Sequence, residues 1–419
     1  MSGSGARDAV DVDVAIVGGG MVGAALAALL LHQGRLDRSR VVVFERETVL
    51  PPAPGDAFDL RVSALSRASQ RILQAGDAWD RIDPVRIAPY EGMRVWHEGS
   101  APDSRDALRF DAAEIAEANL GTVIENRAVQ AAALAAFEAA GGQLRRETLI
   151  GILQRPDCVQ LQTAEGSLTA RLVVGADGAA SKLRDWAGIV AQVQGYGEQA
   201  IVATIRCEQP HRSIAWQCFL PTGPLGLLPL PDGGCSIVWS AVETEAARLL
   251  ALAPADFDTA LTRASGGVLG ALTLASERRA FPLRRMSADR YVSGRCVLVG
   301  DAAHTIHPLA GQGVNQGLLD AATLCEAIAE RPAREDVAAP RLLRRYERAR
   351  RSGNAVIGAA MDQLDALFRG PPGVAGRLAR EGMAVVARTP ALRQFFMRQA
   401  LGIAGELPRA ARASGSSAS

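Results

Sequence analysis

A glycine-rich segment near the start of the chain has the spacing of a dinucleotide-binding turn. Gly18, Gly20 and Gly23 form a Gly-x-Gly-x-x-Gly pattern between two apolar runs, residues 12–17 and 24–31. In such a turn the first glycine permits a tight bend, the second lets a pyrophosphate approach the backbone, and the third lets the helix pack on the strand. The N-terminus of the helix then faces the anion. The spacing predicts a strand, turn and helix that bind a dinucleotide.

A second β-rich run supplies the acidic residue that such a site uses. Residues 41–44 are followed by Glu45, 22 positions after Gly23, where a carboxylate binds the ribose hydroxyls. The alternative interpretation is a membrane anchor, because residues 14–31 carry no charge over 18 positions, close to the length of a membrane-spanning helix. Four glycines within this stretch and acidic residues before it favour the dinucleotide site.

The composition is that of an ordinary globular protein. The chain has 419 residues, 48% of them hydrophobic and 22% charged, and a net charge of +1. No global positive field favours nucleic acid as a partner. The six cysteines are scattered without a Cys-x-x-Cys pair, so we expect reduced, buried thiols rather than disulfides or a metal site. We expect a cytoplasmic protein, with peripheral contact to the inner membrane left open.

The elements that must position the glycine turn are spread along the chain. Residues 12–17, 41–45, 171–175 and 296–300 are predicted strands of one parallel sheet. Because they lie far apart in sequence, the nucleotide domain must be assembled from separate segments. An alanine-rich stretch, residues 128–140, is predicted to be helical.

Four further β-rich runs predict a second sheet. They are residues 200–205, 215–220, 225–230 and 235–239. Turn residues rich in proline and glycine separate them, which is typical of an antiparallel meander. We expect this sheet to form the floor of a second domain. After Gly317 the pattern is helical to the end of the chain.

Two more motifs follow strands of the first sheet. Asp177 lies in an Asp-Gly turn that opens a helix, where it is either a ligand-binding residue or only a helix cap. Asp301 ends the last strand, at the edge of the sheet where α/β proteins bind ligands. A glycine-rich turn, residues 311–313, then opens a helix at Val314, whose backbone N–H groups point to an anionic or electron-rich ring.

In this order, the three motifs resemble those of the single-component (class A) flavin monooxygenases of the para-hydroxybenzoate hydroxylase type. The similarity runs over residues 10–410. Within that family, the segments similar to the ubiquinone-biosynthesis hydroxylases are residues 14–23, 61–65 and 300–315. Those similar to the subgroup that hydroxylates 2-polyprenylphenol at ring carbon 5 are residues 203–206 and 235–240.

The resemblance implies an α/β fold. It has a discontinuous, Rossmann-like FAD domain of the GR2 type, an antiparallel β-sheet substrate domain and C-terminal helices. The expected FAD-binding domain comprises residues 10–75, 105–190 and 282–335. The expected substrate domain comprises residues 76–104 and 191–281, and the C-terminal helical region comprises residues 336–410.

The resemblance also assigns the cofactor contacts position by position. The FAD pyrophosphate would lie on the first glycine turn and the adenosine ribose on the acidic residue after the second strand. The arginine of the 61–65 segment would reach the FAD phosphates, and the helix-opening turns would hold the ribityl chain and the isoalloxazine ring. The residues implied are Gly18, Gly20, Met21, Val22, Gly23, Glu45, Arg46, Arg61, Asn126, Arg127, Asp177, Asp301, Pro308, Gly311, Gln312, Gly313, Val314 and Asn315.

The chemistry that the resemblance implies belongs to the flavin. Reduced FAD reacts with O2 to form a C4a-hydroperoxide, whose distal oxygen is transferred to an electron-rich carbon of a polyprenylphenol. NAD(P)H or another donor supplies the electrons. The pocket must exclude water to protect the intermediate, and the sheet of residues 215–239 is the expected lid. No residue is assigned a catalytic role.

His304 and His307 raise two other interpretations. Their spacing of three could pair metal ligands, but Pro308 makes the segment a loop and no third ligand is near in sequence, so no metal is expected. His307 could deprotonate the phenol, although a structural hydrogen bond is favoured.

Several alternatives stay open for the function. On the same fold the chain could be a halogenase, a prenyl-chain reductase or a hydroxylase of ring carbon 1 or 6. The halogenase interpretation is weakened because the sequence lacks a Trp-x-Trp motif. A flavoprotein that only serves as an assembly subunit is the non-enzymatic alternative. Fold alone does not decide the reaction.

Aromatic and basic segments raise the question of partners. Trp216, Phe219, Trp239 and Phe281 either line a channel for the prenyl tail or are core aromatics. The arginine-rich residues 341–351 and the mixed segment 392–401 either contact membrane or partner enzymes, or are a solvated face and a packed helix. A complex of ubiquinone-biosynthesis enzymes and a homo-oligomer are the expected assemblies.

Overall fold

The computed structural model describes residues 10–104, 107–305, 312–369, 389, 394, 397–398 and 406–413. The strands of this part are β1 Val12–Val17, β2 Val41–Phe44, β3 Val62–Leu65, β4 Ala88–Tyr90, β5 Gly92–His97, β6 Leu108–Asp111, β7 Gly121–Glu125, β8 Gln143–Arg145, β9 Leu149–Gln154, β10 Val159–Thr163, β11 Ser167–Gly175, β12 Ala191–Cys207, β13 Ile214–Leu220, β14 Gly223–Pro229, β15 Cys235–Val242, β16 Leu272–Leu274, β17 Arg279–Ala288, β18 Val292–Ser293, β19 Cys296–Leu298 and β20 His304–Thr305. The α-helices are α1 Met21–His32, α2 Arg67–Ala75, α3 Asn126–Ala139, α4 Lys182–Trp186, α5 Glu243–Ala251, α6 Pro254–Ala264, α7 Gln312–Ala329 and α8 Pro340–Arg369.

The first sheet has the parallel centre that the sequence predicts. Its strands run in the order β18-β19-β11-β1-β2-β8, with β10 and β9 extending from β11. β1 pairs in parallel with β11 and β2, and β11 pairs in parallel with β19. Val17 is in register with Phe44 and Gly175, and Gly175 with Leu298. The carboxyl ends of four strands therefore meet at one edge, where the predicted ligand residues follow.

Apolar composition explains how the first layer forms. β2 is a continuous apolar run and β1 is apolar except for Asp13, as is typical of strands covered on both faces, and both strands lie in one large core. The glycine turn that follows β1 sends α1 back along the sheet. Residues 23–30 of this helix are all buried. Because α1 is apolar all round, it packs between α3 and α7 rather than facing water.

The second sheet contains the predicted meander. Its strands run in the order β20-β17-β12-β15-β14-β13-β5-β6, with β16 beside β12. The pairs β13–β14, β14–β15 and β12–β15 are antiparallel. α5 and α6 cover the side of this sheet that carries its own apolar core. A small sheet, β3-β7-β4, joins the two layers.

These sheets confirm the α/β fold with C-terminal helices and a second sheet that is antiparallel except for the parallel pair β5–β13. The division into residue ranges stays a prediction. The second sheet takes in β6 and all of β17, so it runs across the expected boundaries at 105 and 282. α8 lies in the expected C-terminal region, whereas α7 lies within the expected FAD-binding range, and most residues after 369 lie outside the described ranges.

Two expectations from composition are also answered. All six cysteines carry free thiols, and five of them are buried. In the described ranges, none of the helices is both long enough and apolar enough to cross a membrane. The uncharged stretch at 14–31 is divided between β1, a turn and α1.

Candidate functional site

A cavity of about 530 Å³ lies between the two sheets. One wall is formed by the β1–α1 turn, β3, and the first residues of α3 and α7, and the other by the face of the second sheet. Nine of the predicted cofactor residues line it: Gly20, Met21, Val22, Arg61, Asn126, Asp301, Gly313, Val314 and Asn315. The fold thus brings together residues that are up to about three hundred positions apart in sequence.

The three glycines of the first turn have different structural roles. At Gly23 a Cβ atom would lie 2.0 Å from the carbonyl oxygen of Gly18, so only glycine lets α1 pack this closely on the turn. Gly18 has a φ of +98°, and its Cβ would lie 2.5 Å from the Ala176 carbonyl oxygen. At Gly20 a Cβ would meet nothing within 4 Å, because this residue faces the cavity. Protein atoms therefore pack tightly against the turn at Gly18 and Gly23, whereas the space beside Gly20 is free for a ligand.

Glu45 is placed next to that turn, as its spacing predicts. Its Oε2 accepts a hydrogen bond from the Gly19 N–H at 2.9 Å, and its Oε1 accepts one from the Glu47 N–H at 3.0 Å. The carboxylate is thus held at the mouth of the turn. Arg46 extends into solvent and does not line the cavity.

Asp177 binds a backbone N–H at the start of α4, although Ser181 is the N-cap residue of that helix. Its Oδ2 accepts a hydrogen bond from the Leu183 N–H at 3.1 Å, at the start of α4. Its Oδ1 is buried and has no hydrogen-bond partner in the described part of the chain. Asp177 does not line the cavity, although its neighbours Ala176 and Gly178 do. Its predicted contact with the cofactor stays untested.

Asp301 is delivered to the cavity by the end of the parallel sheet. It follows β19 in the short turn Gly300–Ala302. Its carboxylate is accessible from the cavity, yet protein surrounds it on the remaining sides. This burial raises the pKa of Asp301, and the charges of His304 and Arg61 partly oppose the rise. The group is poised to accept a hydrogen bond from a ligand.

The start of α7 is fixed by one of the predicted residues. The Asn315 side chain accepts hydrogen bonds from the Ser66 N–H at 2.9 Å and the Ser69 hydroxyl at 2.7 Å, and its amide donates to the Ala64 carbonyl at 2.9 Å. Asn315 therefore ties α7 to β3 and α2, so that the backbone at Gly313 faces the cavity. A contact between this side chain and a ring stays a prediction.

The other predicted residues divide into three groups. Asn126 lines the cavity and accepts a hydrogen bond from the Ser63 hydroxyl at 2.7 Å. Arg127 begins the same helix but turns away from the cavity, because its guanidinium donates to Asp59 at 3.0 Å. Pro308 and Gly311 lie outside the described residues, as does His307, and the side chain of Gln312 is not described either.

The second sheet contributes alternate residues of three strands to the cavity. They are Ala215 and Gln217 of β13, Pro224, Gly226 and Leu228 of β14, and Val238 and Ser240 of β15. Successive side chains of a strand point to opposite faces, so these residues share one face. Because this wall is mostly apolar, it is suited to bind an apolar ring and to exclude water from the space around that ring.

Tyr90 adds a hydroxyl to this end of the cavity. Burial raises the pKa of Tyr90 to about 12, so the phenol is protonated at neutral pH and can donate a hydrogen bond. Met93, Phe110 and Leu120 line the same end.

The aromatic residues considered for a tail channel do not line the cavity. Trp216 packs edge-on against Trp96, with ring centroids 6.1 Å apart, and Trp239 lies 5.9 Å from Phe257. They occupy the opposite face of the second sheet, where the helix-covered core lies. For Trp216 and Trp239 the channel interpretation is wrong, because strand alternation turns them away from the ligand side.

A buried charge network supports the Asp301 turn from behind. Asp320 of α7 is completely buried; its Oδ2 accepts from the Gly300 N–H at 3.0 Å and lies 2.6 Å from the His304 Nε2. Its Oδ1 accepts from Arg350 at 2.7 Å and from the Asn354 amide at 3.3 Å. Burial raises the pKa of Asp320, but the charges and hydrogen bonds of His304 and Arg350 outweigh it and lower the value to about 2.

This network places two of the residues considered in the sequence, whereas the absence of a metal at His304 and His307 stays a prediction, because His307 lies outside the described residues. His304 is a partner of Asp320, and the described residues contain no group of three or more His, Cys, Asp or Glu side chains placed to hold a metal ion. Arg350, one of the arginines of the 341–351 run, points inward rather than to solvent. Only the apolar spacing of α7 and α8 could have indicated which of their charged residues are buried.

FAD, the cofactor implied by the resemblance, fits the residues that are present. The empty space at Gly20 and the helix start at Met21 provide room and N–H groups for a pyrophosphate. Asp301 presents a carboxylate that a hydroxylated chain can reach. The Thr305 Oγ1 lines the cavity without a hydrogen-bond partner among the described residues. The site therefore accommodates the group that the motifs predict.

Comparison with known proteins also identifies an FAD-binding protein. The family model of the FAD binding domain matches residues 11–360. The ubiquinone hydroxylase UbiL of Rhodospirillum rubrum is 38% identical over 407 residues, which cover 95% of this chain and 91% of that protein. The 3-demethoxyubiquinol 3-hydroxylase of Escherichia coli is 34% identical over 395 residues, covering 93% and 98%.

A solved structure supports the fold. The p-nitrophenol 4-monooxygenase PnpA of Pseudomonas putida superposes with a TM-score of 0.72, covering 94% of this chain and 98% of that one, at 18% sequence identity. At this level of identity the likeness concerns the fold alone.

Proposed function

Because the chain belongs to the FAD binding domain family, whose model matches residues 11–360, we propose that it hydroxylates a polyprenylphenol at ring carbon 5 in ubiquinone biosynthesis. The chain is an FAD-dependent monooxygenase, for which NAD(P)H and O2 are the standard reductant and oxidant of the family. Two of its relatives, a ubiquinone hydroxylase and a 3-demethoxyubiquinol 3-hydroxylase, match it almost from end to end. The observation that supports a phenolic substrate is the single cavity shared by the dinucleotide turn and an apolar sheet face.

The cavity wall gives the chain's own residues defined tasks in this reaction. When bound, FAD supplies the oxygen-activating chemistry. Gly20 and the start of α1 hold the pyrophosphate, and Asp301 accepts a hydrogen bond from the ribityl chain. The backbone around Gly313 faces the ring end of the cofactor. Ala215, Leu228 and their neighbours keep water away from the reacting ring.

Four further residues do not line the cavity, and their contacts with FAD are proposed on other grounds. They are Gly18, Gly23, Glu45 and Asp177. The first two shape the turn, Glu45 lies where a ribose would be bound, and Asp177 adjoins the cavity through its neighbours. We give Arg46 and Arg127 no more than an indirect part, since their guanidinium groups point away from the cavity.

Replacing Asp301 with alanine is expected to weaken FAD binding by about ten- to a hundredfold, since a hydrogen bond to a charged group contributes roughly 1.5–3 kcal/mol. The measurement is a titration of the apoprotein with FAD, followed by quenching of flavin fluorescence. Asp185→Ala is the matched control, because that carboxylate is 72% exposed and lies outside the cavity. Unchanged FAD affinity in Asp301→Ala would remove Asp301 from the cofactor site.

The ring position is the finer part of the proposal and has its own test. Quinone intermediates are profiled by mass spectrometry in a strain that lacks this gene. An accumulated polyprenylphenol without added ring oxygen supports hydroxylation at carbon 5. Accumulation of a later, methoxylated intermediate would assign a sister step instead, as the name of the Escherichia coli relative indicates for that protein. Complementation with Gly20→Val, which keeps the fold but not the cofactor space, is the control.

A polyprenyl substrate is held in membranes. We therefore include two further points in the same proposal: peripheral contact with the inner membrane, and a complex with other enzymes of the pathway. The purified holoprotein is tested by co-sedimentation with anionic and neutral vesicles. Binding only to anionic vesicles supports contact through basic segments, and absence of binding to both contradicts membrane contact. The same preparation gives the oligomeric state by light scattering.

A further inference from the structure

We propose that Gly226 marks the place where the aromatic ring of the substrate lies, and that the side-chain amide of Gln217 binds the ring's hydroxyl group. This inference rests on the proposed function for the identity of the ring. It goes beyond that function because it assigns the orientation of the ring to two residues of the second sheet.

The first observation is the register of three central strands. Gln217 of β13 is paired with Gly226 of β14, and Gly226 is paired with Val238 of β15. All three line the cavity. They therefore form one row across the sheet, with a polar side chain, a bare backbone and an apolar side chain side by side. Pro224 and Leu228, two residues before and after Gly226 along β14, also line the cavity.

The second observation is that neither backbone nor packing requires glycine at 226. Its φ is not in the left-handed region, and a Cβ would meet only the Val238 carbonyl oxygen, at 3.8 Å. A glycine inside a strand lowers stability by roughly 0.5–1 kcal/mol relative to alanine. Such a residue marks a site that another backbone or a ligand approaches closely. Since no atom of the described residues fills the space above Gly226, we infer that a ligand is the reason for its small size.

The third observation concerns Gln217. Its side chain is half-buried in the cavity wall, between apolar neighbours, and it makes no hydrogen bond to another residue in the described ranges. A carboxamide has one carbonyl acceptor and two N–H donors. Placed beside the flat space over Gly226, its oxygen can accept the proton of a phenolic hydroxyl. This single polar contact on an apolar wall would fix which edge of the ring faces the cofactor.

The test adds bulk at Gly226 and measures both ligands of the cavity. FAD affinity is measured by fluorescence quenching, and binding of 2-prenylphenol by the change that it causes in the visible spectrum of the bound flavin. In Gly226→Val we expect FAD affinity to stay within about twofold of the wild type, while 2-prenylphenol binds roughly ten- to a hundredfold more weakly because of overpacking. Gly226→Ala should give a smaller loss.

Gly195→Val is the matched control. Gly195 also lies in the second sheet, its Cβ would meet nothing within 4 Å, and it does not line the cavity. This variant should bind both ligands as the wild type does. If Gly226→Val also binds 2-prenylphenol as the wild type does, the ring lies elsewhere and the inference is wrong.

Gln217→Leu tests the hydrogen bond with a side chain of similar size. Loss of one hydrogen bond should weaken the binding of 2-prenylphenol about three- to tenfold. The methyl ether of the same compound has no hydroxyl proton, so its affinity should not change in Gln217→Leu. Equal losses for phenol and ether would mean that the leucine disturbs packing, and no loss for either would exclude Gln217 from the hydroxyl site.

A panel of planar aromatics separates this inference from the proposed function. The wild type could fail to bind 2-prenylphenol but bind another planar aromatic compound that Gly226→Val does not bind. That result would support the ring site and contradict the polyprenylphenol assignment. If the wild type binds no aromatic compound at all, both fall. If it binds 2-prenylphenol but Gly226→Val does so equally well, only the ring site falls.

Discussion

Replacing Gly20 with valine is expected to weaken FAD binding roughly ten- to a hundredfold while the protein stays folded. The missing side chain of Gly20 faces the cavity, where a Cβ meets no protein atom within 4 Å. An isopropyl group there occupies the space into which a pyrophosphate must come to reach the N-terminus of α1. Overpacking of this kind costs about 1–3 kcal/mol, roughly ten- to a hundredfold in Kd. The measurement is the flavin content of the purified protein, followed by titration of the apoprotein with FAD.

The neighbouring glycine gives a control with the opposite outcome. A Cβ at Gly23 would lie 2.0 Å from the Gly18 carbonyl oxygen, so Gly23→Ala should disturb the packing of α1 on the turn and lower the melting temperature even of the apoprotein. Gly20→Val should leave the apoprotein's melting temperature near that of the wild type. A Gly20→Val protein that retains FAD at wild-type occupancy would show that the cofactor does not lie against this turn.

This difference between two glycines of one motif shows what the sequence can and cannot predict. The spacing from Gly18 to Glu45 identifies the turn and the edge of the sheet, because tight backbone geometry allows few residue types at few positions. Alternating and continuous apolar runs likewise predict the two sheets and their strand directions. These features are local, so they can be recognised without knowing which distant segments meet.

The features missed by the sequence depend on pairing between distant segments. Nothing in the pattern of β13, β14 and β15 states that Gln217, Gly226 and Val238 share one row, because register is set by turns and packing. Trp216 and Trp239 are candidate channel residues in the sequence for the same reason. Their residue type is typical of an apolar channel, but the sequence does not show which face of the sheet they occupy. A shift of the strand register by one residue would exchange the two faces.

Replacing Asp320 with leucine is expected to destabilise the protein by about 3–5 kcal/mol. The carboxylate is completely buried and compensates the charge of Arg350, while it also binds His304 and the Gly300 N–H. Removing one partner of a buried ion pair leaves the other charge uncompensated, which accounts for a cost of this size. The measurement is urea denaturation of the apoprotein. Glu277→Leu is the control, because the side chains of Arg279 and Glu277 in its ion pair are 61% and 62% exposed, and exposed pairs contribute about 0–1 kcal/mol.

A double variant separates the ion pair from the hydrogen bonds that hold the Asp301 turn. Arg350→Met in the Asp320→Leu background removes the uncompensated charge, and buried pairs replaced by apolar residues often recover stability. The Gly300 N–H and His304 still lack their acceptor, so stability should return in part while FAD affinity stays reduced. That outcome would assign Asp320 to positioning the turn as well as to the core. Full recovery of both properties would show that the turn keeps its shape without Asp320, and equal stability of Asp320→Leu and the wild type would contradict the buried network itself.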